Sequence, residues 1–400
     1  MTDSQKKVII VGAGIVGSAL AYFLSNSQSS EKRQIIVVDR SLSPLVGSTA
    51  YAPGFVGQFN ESEVLTRLAI DSVIEYIKVP DGFNIVGGLE VATSVEGIER
   101  LKTRCEDARN FGLPAGMITP EHAVELAPEL VKSSEVGAAL HFTADGTANT
   151  TNITSFYQAE SRKNGVQFIE ADVTQLTISN GRVKGVEIQG ASLSTFSADI
   201  LILATGIWAQ DLCHDLDFPI PVVPVGHPYM YSNSKKPSSR KAPWVRWPEH
   251  HVYARDHGLF YGFGSYNHEP IPYKPTNGTA IGNWIEDFNA TLEQACNLLS
   301  IGKNLIPEKK FNGIFSMTPD NLPLVGEVPS VNGLYMAAAV WVTHAAGTAK
   351  FITKLIEGGA VDRRMKESLD PARFRGQEWS TLEEKSLKGY NDIYKTNERN

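Results

Sequence analysis

The chain opens on an unbroken apolar run, Lys7–Val11 (KVIIV), with β-branched residues at four of its five positions. Such a run has no polar face, so it reads as a strand buried on both sides, as in a parallel sheet. Gly12-Ala13-Gly14-Ile15-Val16-Gly17 follows, then SALAYFLSN with helical apolar spacing, then a second apolar run from Gln34 to Val38 that ends at Asp39. The pattern predicts strand, glycine-rich turn, helix and strand. Another buried strand, Asp199–Leu203, runs into Ala204-Thr205-Gly206. Residues 221–231, 251–255 and 259–263 read as strands of an antiparallel sheet. Helical spacing covers 97–111 and 292–302, and the polar stretch 232–242 reads as an exposed loop. Beyond Gly376 the chain is polar, with apolar positions at Trp379, Leu382, Leu387, Tyr390 and Tyr394 that fit either a packed helix or a mobile tail. No internal repeat is visible.

The first turn carries chemistry. Gly12 permits a tight turn, Gly14 lets a pyrophosphate approach the backbone, and Gly17 lets the helix pack against the strand. The helix N-terminus offers amides and partial positive charge to phosphates. Asp39, at the end of the next strand, is placed to accept hydrogen bonds from a ribose. A GxGxxG with a strand before it, a helix after it and an acid closing the next strand is a dinucleotide site. The turn alone leaves NAD and FAD both open.

Composition narrows the classes. The 400 residues are 42% hydrophobic and 20% charged, too apolar for a disordered chain and long enough for two or three domains. With 37 basic against 44 acidic side chains the net charge is −7, which argues against a general nucleic-acid binder. Cys105, Cys213 and Cys296 stand far apart, so no thiol redox pair or zinc knuckle is expected. His250, His251, His257 and His268 have no ligand spacing, and no metal is expected. No apolar run is long enough to cross a membrane, and no signal peptide or peroxisomal address is evident, so a cytoplasmic location is the expectation.

The decisive segments come later: STAYAPGFVGQF at 48–59, the strand ending Ala204-Thr205-Gly206, PVVPVGHPYMY at 221–231, VYARDHGLFYGFG at 252–264 and MTPDNLPLVG at 317–326. In this order they resemble FAD-dependent oxidoreductases of the D-amino-acid oxidase type, closest to the dimethylglycine and sarcosine dehydrogenase branch, from about Lys7 to Phe374. The resemblance implies an α/β fold: a Rossmann-like FAD-binding domain (1–85, 142–215 and 310–375), a discontinuous α+β substrate domain built on an antiparallel sheet (86–141 and 216–309), and a tail at 376–400. It implies FAD contacts at Gly12, Ala13, Gly14, Ile15, Val16, Gly17, Asp39 and Arg40. Further contacts fall at Ser48, Thr49, Val173, Ala204, Thr205, Gly206, Trp208, Gly313, Asp320, Thr343 and His344.

The implied reaction takes a hydride from the carbon beside the nitrogen of a secondary or tertiary amine, N-methyl amines included, giving an iminium that hydrolyses. His227 and Tyr253 match positions implicated in that oxidation; a near-neutral histidine relays a proton and a tyrosine hydroxyl positions the amine. His344 opens a C-terminal helix whose amides would stabilise negative charge on a reduced ring. The aromatic run 243–273 reads either as a lining for an amine or as packed strands.

The chain also departs from the family. Tyr51 and Gly313 stand where covalent flavin attachment would need a histidine or a cysteine, so FAD is expected to be noncovalent. The stretch 258–262 lacks the oxygen-activating lysine, which leaves oxygen or an electron carrier as acceptor. The carboxylate-binding arginine is missing from 48–62, which weakens the expectation of a glycine-derived substrate. The folate-binding part is absent, so an oxidised N-methyl group should leave as formaldehyde. Trapping of the iminium in a ring, oxidation of a primary amine or hydroxy acid, and a catalytically silent flavin-binding protein remain alternatives.

Overall fold

A computed structural model describes residues 5–28, 32–189, 193–214, 216–238 and 241–393. Lys6–Val11 forms β1, Ile15–Ser25 forms α1 and Arg33–Asp39 forms β2. They lie in a six-stranded sheet ordered 324–327, 334–338, 200–203, β1, β2, 167–170. The strands run parallel except at the 324–327 edge. The apolar runs now have a physical explanation. Val8, Ile10, Ile35, Val37, Ile200 and Ile202 pack into a core beneath α1 and the helices Thr150–Lys163 and Ala345–Ile356. Their alternates Ile9, Val11, Ile36, Val38, Leu201 and Leu203 enter a second core, on the other face, with the antiparallel strands 172–179 and 182–189. Both faces are dry, so the strands show no alternation.

A nine-stranded sheet makes the second layer system, in the order 281–282, 307–317, 223–232, 261–265, 252–256, 244–247, 88–92, 138–142, 115–118. It is antiparallel except where Trp244–Trp247 runs parallel to Gly88–Ala92. The helices Val95–Asn110 and Phe288–Leu298 cover it. Ser94 caps the first of these by accepting from the Gly97 amide at 2.9 Å.

Two expectations need correction. The proposed boundary at residue 310 falls inside Pro307–Met317, which pairs with Val223–Ser232 along its whole length; residues 310–317 therefore belong to the antiparallel sheet. The helix expected at 292–302 begins at Phe288 and ends at Leu298, and Gly302–Asn304 form a separate 3-10 turn. Of the two readings of the tail, the packed helix is the one the structure shows: Trp379–Asn391 lies against 223–232 and 307–317. Its Leu382 enters the core of the parallel sheet and its Tyr390 the aromatic core of the antiparallel one. Tyr394 lies outside the described residues. Among the described residues no helix is long and apolar enough to cross a membrane, and no group of three or more His, Cys, Asp or Glu could hold a metal ion.

Candidate active site

The turn after β1 is built from backbone. Gly12 has φ +107°, and a Cβ there would lie 2.3 Å from the Ala204 carbonyl oxygen. A Cβ on Gly17 would lie 1.8 Å from the Gly12 carbonyl, and one on Gly14 would press on the Thr49 hydroxyl at 3.0 Å. The Gly14 N-cap brings no side-chain acceptor, which leaves the opening of α1 to backbone donors. Thr49 Oγ1 accepts from the Ile15 amide at 3.1 Å, and the Ala13 carbonyl is held by Ser18 (2.9 Å) and Gln158 (3.0 Å). Asp39 accepts from the Ala13 amide at 2.6 Å and the Ser41 amide at 3.0 Å. Burial pushes its carboxyl up despite those bonds, an imbalance that ribose hydroxyls would offset.

A single cavity of about 350 Å³ runs from this turn into the antiparallel sheet. Gly12, Gly14, Ile15, Val16, Asp39, Arg40, Ser48 and Thr49 line it, as do Val173, Ala204, Thr205, Gly206 and Trp208. So do Gly313, Thr343, His344, His227 and Tyr253. The Arg40 guanidinium sits 4.6 Å over the Trp208 ring and pairs with Asp172 at 3.3 Å. Buried Thr205 Oγ1 has no hydrogen-bond partner among the described residues. An orphaned hydroxyl beside a cradle that any Cβ would fill is what a bound dinucleotide would complete, so the residues present fit FAD. Ala13 and Gly17 shape the turn without facing the cavity. Asp320 is elsewhere, and its expected cofactor role is corrected: it grips Arg373 with both oxygens at 2.9 Å and accepts from the Leu322 amide, closing the turn before strand 324–327.

At the far end the walls are side chains. His227 is 2% exposed; its Nε2 is 2.7 Å from the Tyr253 hydroxyl and its Nδ1 is 2.6 Å from the Tyr390 hydroxyl. Phe315 stacks on the imidazole at 4.5 Å between centroids, and Tyr266 lies 4.4 Å away. Burial, with a further contribution from His268, drives the His227 pKa well below its ordinary value. His344 caps the helix Ala345–Ile356, and burial lowers it to about 4. Both imidazoles are therefore neutral near pH 7. The rings of the aromatic run pack on one another, and Tyr253, Tyr266 and Trp244 also face the cavity.

Sequence reasoning missed three charged groups. Glu90, fully buried on strand 88–92, is held between Arg104 Nε at 2.7 Å and the Arg246 guanidinium. Burial works against its charge, but the two arginines hold its pKa lowered. Asp145, 3% exposed, accepts from the Gln58 amide at 2.9 Å, and burial pushes it up to about 7. Arg246 brings to the cavity the guanidinium absent from 48–62, already paired with Glu90. The available signal was opposite charges inside apolar strands, GLEVA and WVRW.

A Rossmann-like sheet, a glycine cradle and an aromatic pocket reached from it define a flavoprotein of the oxidoreductase class. Residues 7–355 match the DAO family model, FAD dependent oxidoreductase, and the chain belongs to that family. It is 26% identical over 417 residues to the Homo sapiens "Dimethylglycine dehydrogenase, mitochondrial", covering 97% of this chain and 47% of that protein. It is 24% identical over 351 residues to the Homo sapiens "Sarcosine dehydrogenase, mitochondrial", covering 83% and 37%. The chain thus spans less than half the length of these two relatives. In fold it is similar to L-proline dehydrogenase from P.horikoshii, with TM-score 0.82, 23% identity, and 93% and 98% of the two chains covered.

Proposed function

We propose that this protein uses noncovalently bound FAD to oxidise a secondary or tertiary amine, N-methyl amines and amino acids included, at the carbon beside nitrogen. The observation that carries this reading is the Tyr253–His227 pair, buried in an aromatic pocket that continues into the dinucleotide cradle. Bound FAD would supply the two-electron acceptor. The residues of the chain handle the rest. Oxidation needs the nitrogen lone pair, so the amine must be neutral when its C–H bond breaks. Neutral His227 does not repel an arriving ammonium and stands ready, through the Tyr253 hydroxyl, to take its proton. Tyr253, Tyr266 and Phe315 exclude water and attract a cationic amine with their faces. Arg246, Glu90 and Asp145 place a near-neutral but polar wall along the same cavity, where a polar substituent on the substrate would find partners. Tyr51 and Gly313 line the cavity, whereas Cys105, Cys213 and Cys296 do not, which supports noncovalent binding. The compartment we propose is the cytoplasm.

The test is an anaerobic titration of the FAD-loaded protein with dimethylglycine, sarcosine, proline and N-methylated amines without a carboxylate. Bleaching of the flavin by N-methylated compounds, with one formaldehyde per two electrons, supports the reading. A cyclised product without aldehyde would replace hydrolysis by ring formation, and a flavin that no amine bleaches would overturn the proposal. Reoxidation in oxygen against an artificial dye then tells whether oxygen or a carrier is the acceptor.

A further inference from the structure

The pair at the pocket is one end of a longer chain of hydrogen bonds. Beyond His227, Tyr390 from the C-terminal helix is 2.7 Å from His268 Nε2, and His268 Nδ1 is 2.8 Å from the Glu269 carbonyl oxygen. Tyr253, His227 and Tyr390 are buried, at 2%, 2% and 0% exposure. His268 is part-exposed. The chain therefore runs from the cavity wall towards solvent. The titratable groups around His227 are Tyr253, Tyr266, Tyr390 and His268, with Glu269 behind the last.

The far end sets the direction of every bond. A carbonyl only accepts, so His268 Nδ1 carries a proton and, in the neutral ring, Nε2 accepts. Tyr390 must then donate to His268, which turns its oxygen towards His227 as an acceptor. His227 donates from Nδ1 and accepts at Nε2, so Tyr253 donates to His227. Burial lowers the pKa of both imidazoles, in keeping with this neutral arrangement. The Tyr253 oxygen, its proton aimed away, presents lone pairs to the cavity.

We infer that Tyr390 and His268 are positioning residues of a proton exit, and that the chain Tyr253–His227–Tyr390–His268 strips the proton from a bound ammonium. The inference rests on the amine-oxidising reading above. One proton passes from substrate nitrogen to the Tyr253 oxygen as the Tyr253 proton moves to His227 Nε2. The His227 Nδ1 proton moves to Tyr390, and the Tyr390 proton moves to His268 Nε2. His268, briefly an imidazolium, releases that proton to water. One proton enters and one leaves, with no change in electron count. The helix Trp379–Asn391 thereby becomes part of the active site, although it lies beyond both sheets in sequence.

Three variants and two readouts test this. By nitrogen NMR of 15N-histidine-labelled, FAD-loaded protein, His227 and His268, assigned by loss of signal in H227Q and H268Q, should both show the Nδ1–H tautomer. In Tyr390→Phe, which keeps the ring in its buried site, His227 should switch to Nε2–H and donate to Tyr253. In His268→Gln the side-chain carbonyl still accepts from Tyr390, so the His227 tautomer should persist although the proton exit is cut. By anaerobic stopped flow, both Y390F and H268Q should slow flavin reduction about 10²-fold or more below the amine's own pKa, the scale of a lost proton-transfer partner. Above that pKa, where solution supplies neutral amine, both should approach the unmodified protein. An Nε2–H tautomer at His227 in the unmodified protein overturns the direction of the chain. A pH-independent loss in either variant, or a profile like the parent's, overturns the relay. If no amine reduces the unmodified protein, the functional reading fails while the tautomers still decide the direction of the chain.

Discussion

The two ends of the cavity are made from different materials. At the glycine turn the walls are backbone: Gly12, Gly17 and the Ala204 carbonyl approach so closely that any Cβ would collide. At the aromatic end the walls are side chains from segments far apart in sequence, Glu90, Asp145, His227 and Tyr253, with Tyr390 from the C-terminal helix behind His227. The first end tolerates almost no change because its function is shape. On the function proposed above, the second would tolerate change in the scaffold but not in protonation or hydrogen-bond direction, because its work would be proton transfer. The same contrast explains the pKa pattern. A pyrophosphate cradle needs few titratable groups, whereas the aromatic end holds His227 and Asp145, both displaced far from their ordinary values by burial.

That contrast can be broken experimentally, beginning with the largest effect. Gly12→Ala should abolish FAD binding, leaving colourless protein from flavin-replete buffer. Gly112→Ala, outside the cavity and with nothing within 4 Å of its Cβ, should stay yellow and lose only about 1–2 kcal/mol from its φ of +78°. Absorbance ratios after purification decide both. Tyr253→Phe should leave FAD content unchanged while slowing amine-driven flavin reduction by about 10²-fold or more; equal rates would return Tyr253 to a packing role.

Asp145 gives a pH signature. Its folded pKa lies above the unfolded one, so the folded state binds the extra proton. The stability it contributes is complete below the unfolded value of 3.8 and is lost as pH rises through about 7. The slope is at most about 1.4 kcal/mol per pH unit. Denaturant unfolding of Asp145→Asn should show that decline removed; an unchanged slope would assign it elsewhere. The smallest effect belongs to Asp320→Asn, which weakens a half-exposed pair with Arg373. A loss of about 1 kcal/mol or less with full FAD content is expected, and a colourless variant would restore Asp320 to the cofactor.

Legibility followed the same division. The turn at 12–17, Asp39 and Ala204-Thr205-Gly206 could be read because each lies within one contiguous strand–turn unit. Thr318-Pro319-Asp320 misled because an acid that closes its own turn looks, in sequence, like one that binds a ligand. Glu90 and Arg246 sit on neighbouring strands but 156 positions apart in the chain, so neither reveals its partner from its own surroundings. Tyr390 was visible only as an apolar position on a helical tail.

Local order along the chain was sufficient for the dinucleotide half. Apolar runs without alternation demanded a sheet buried on both faces, and glycine spacing demanded a close approach, because sterics and period act over a few residues. The aromatic half depended on register and packing. Which ring faces which imidazole, which arginine neutralises Glu90, and that the last helix returns to donate Tyr390 are consequences of long-range pairing. A hydrogen bond between residues 163 positions apart has no local signature. Its direction comes from the carbonyl of Glu269, next to His268 in the chain, and only folding brings His268 to Tyr390 and, through it, to the pocket.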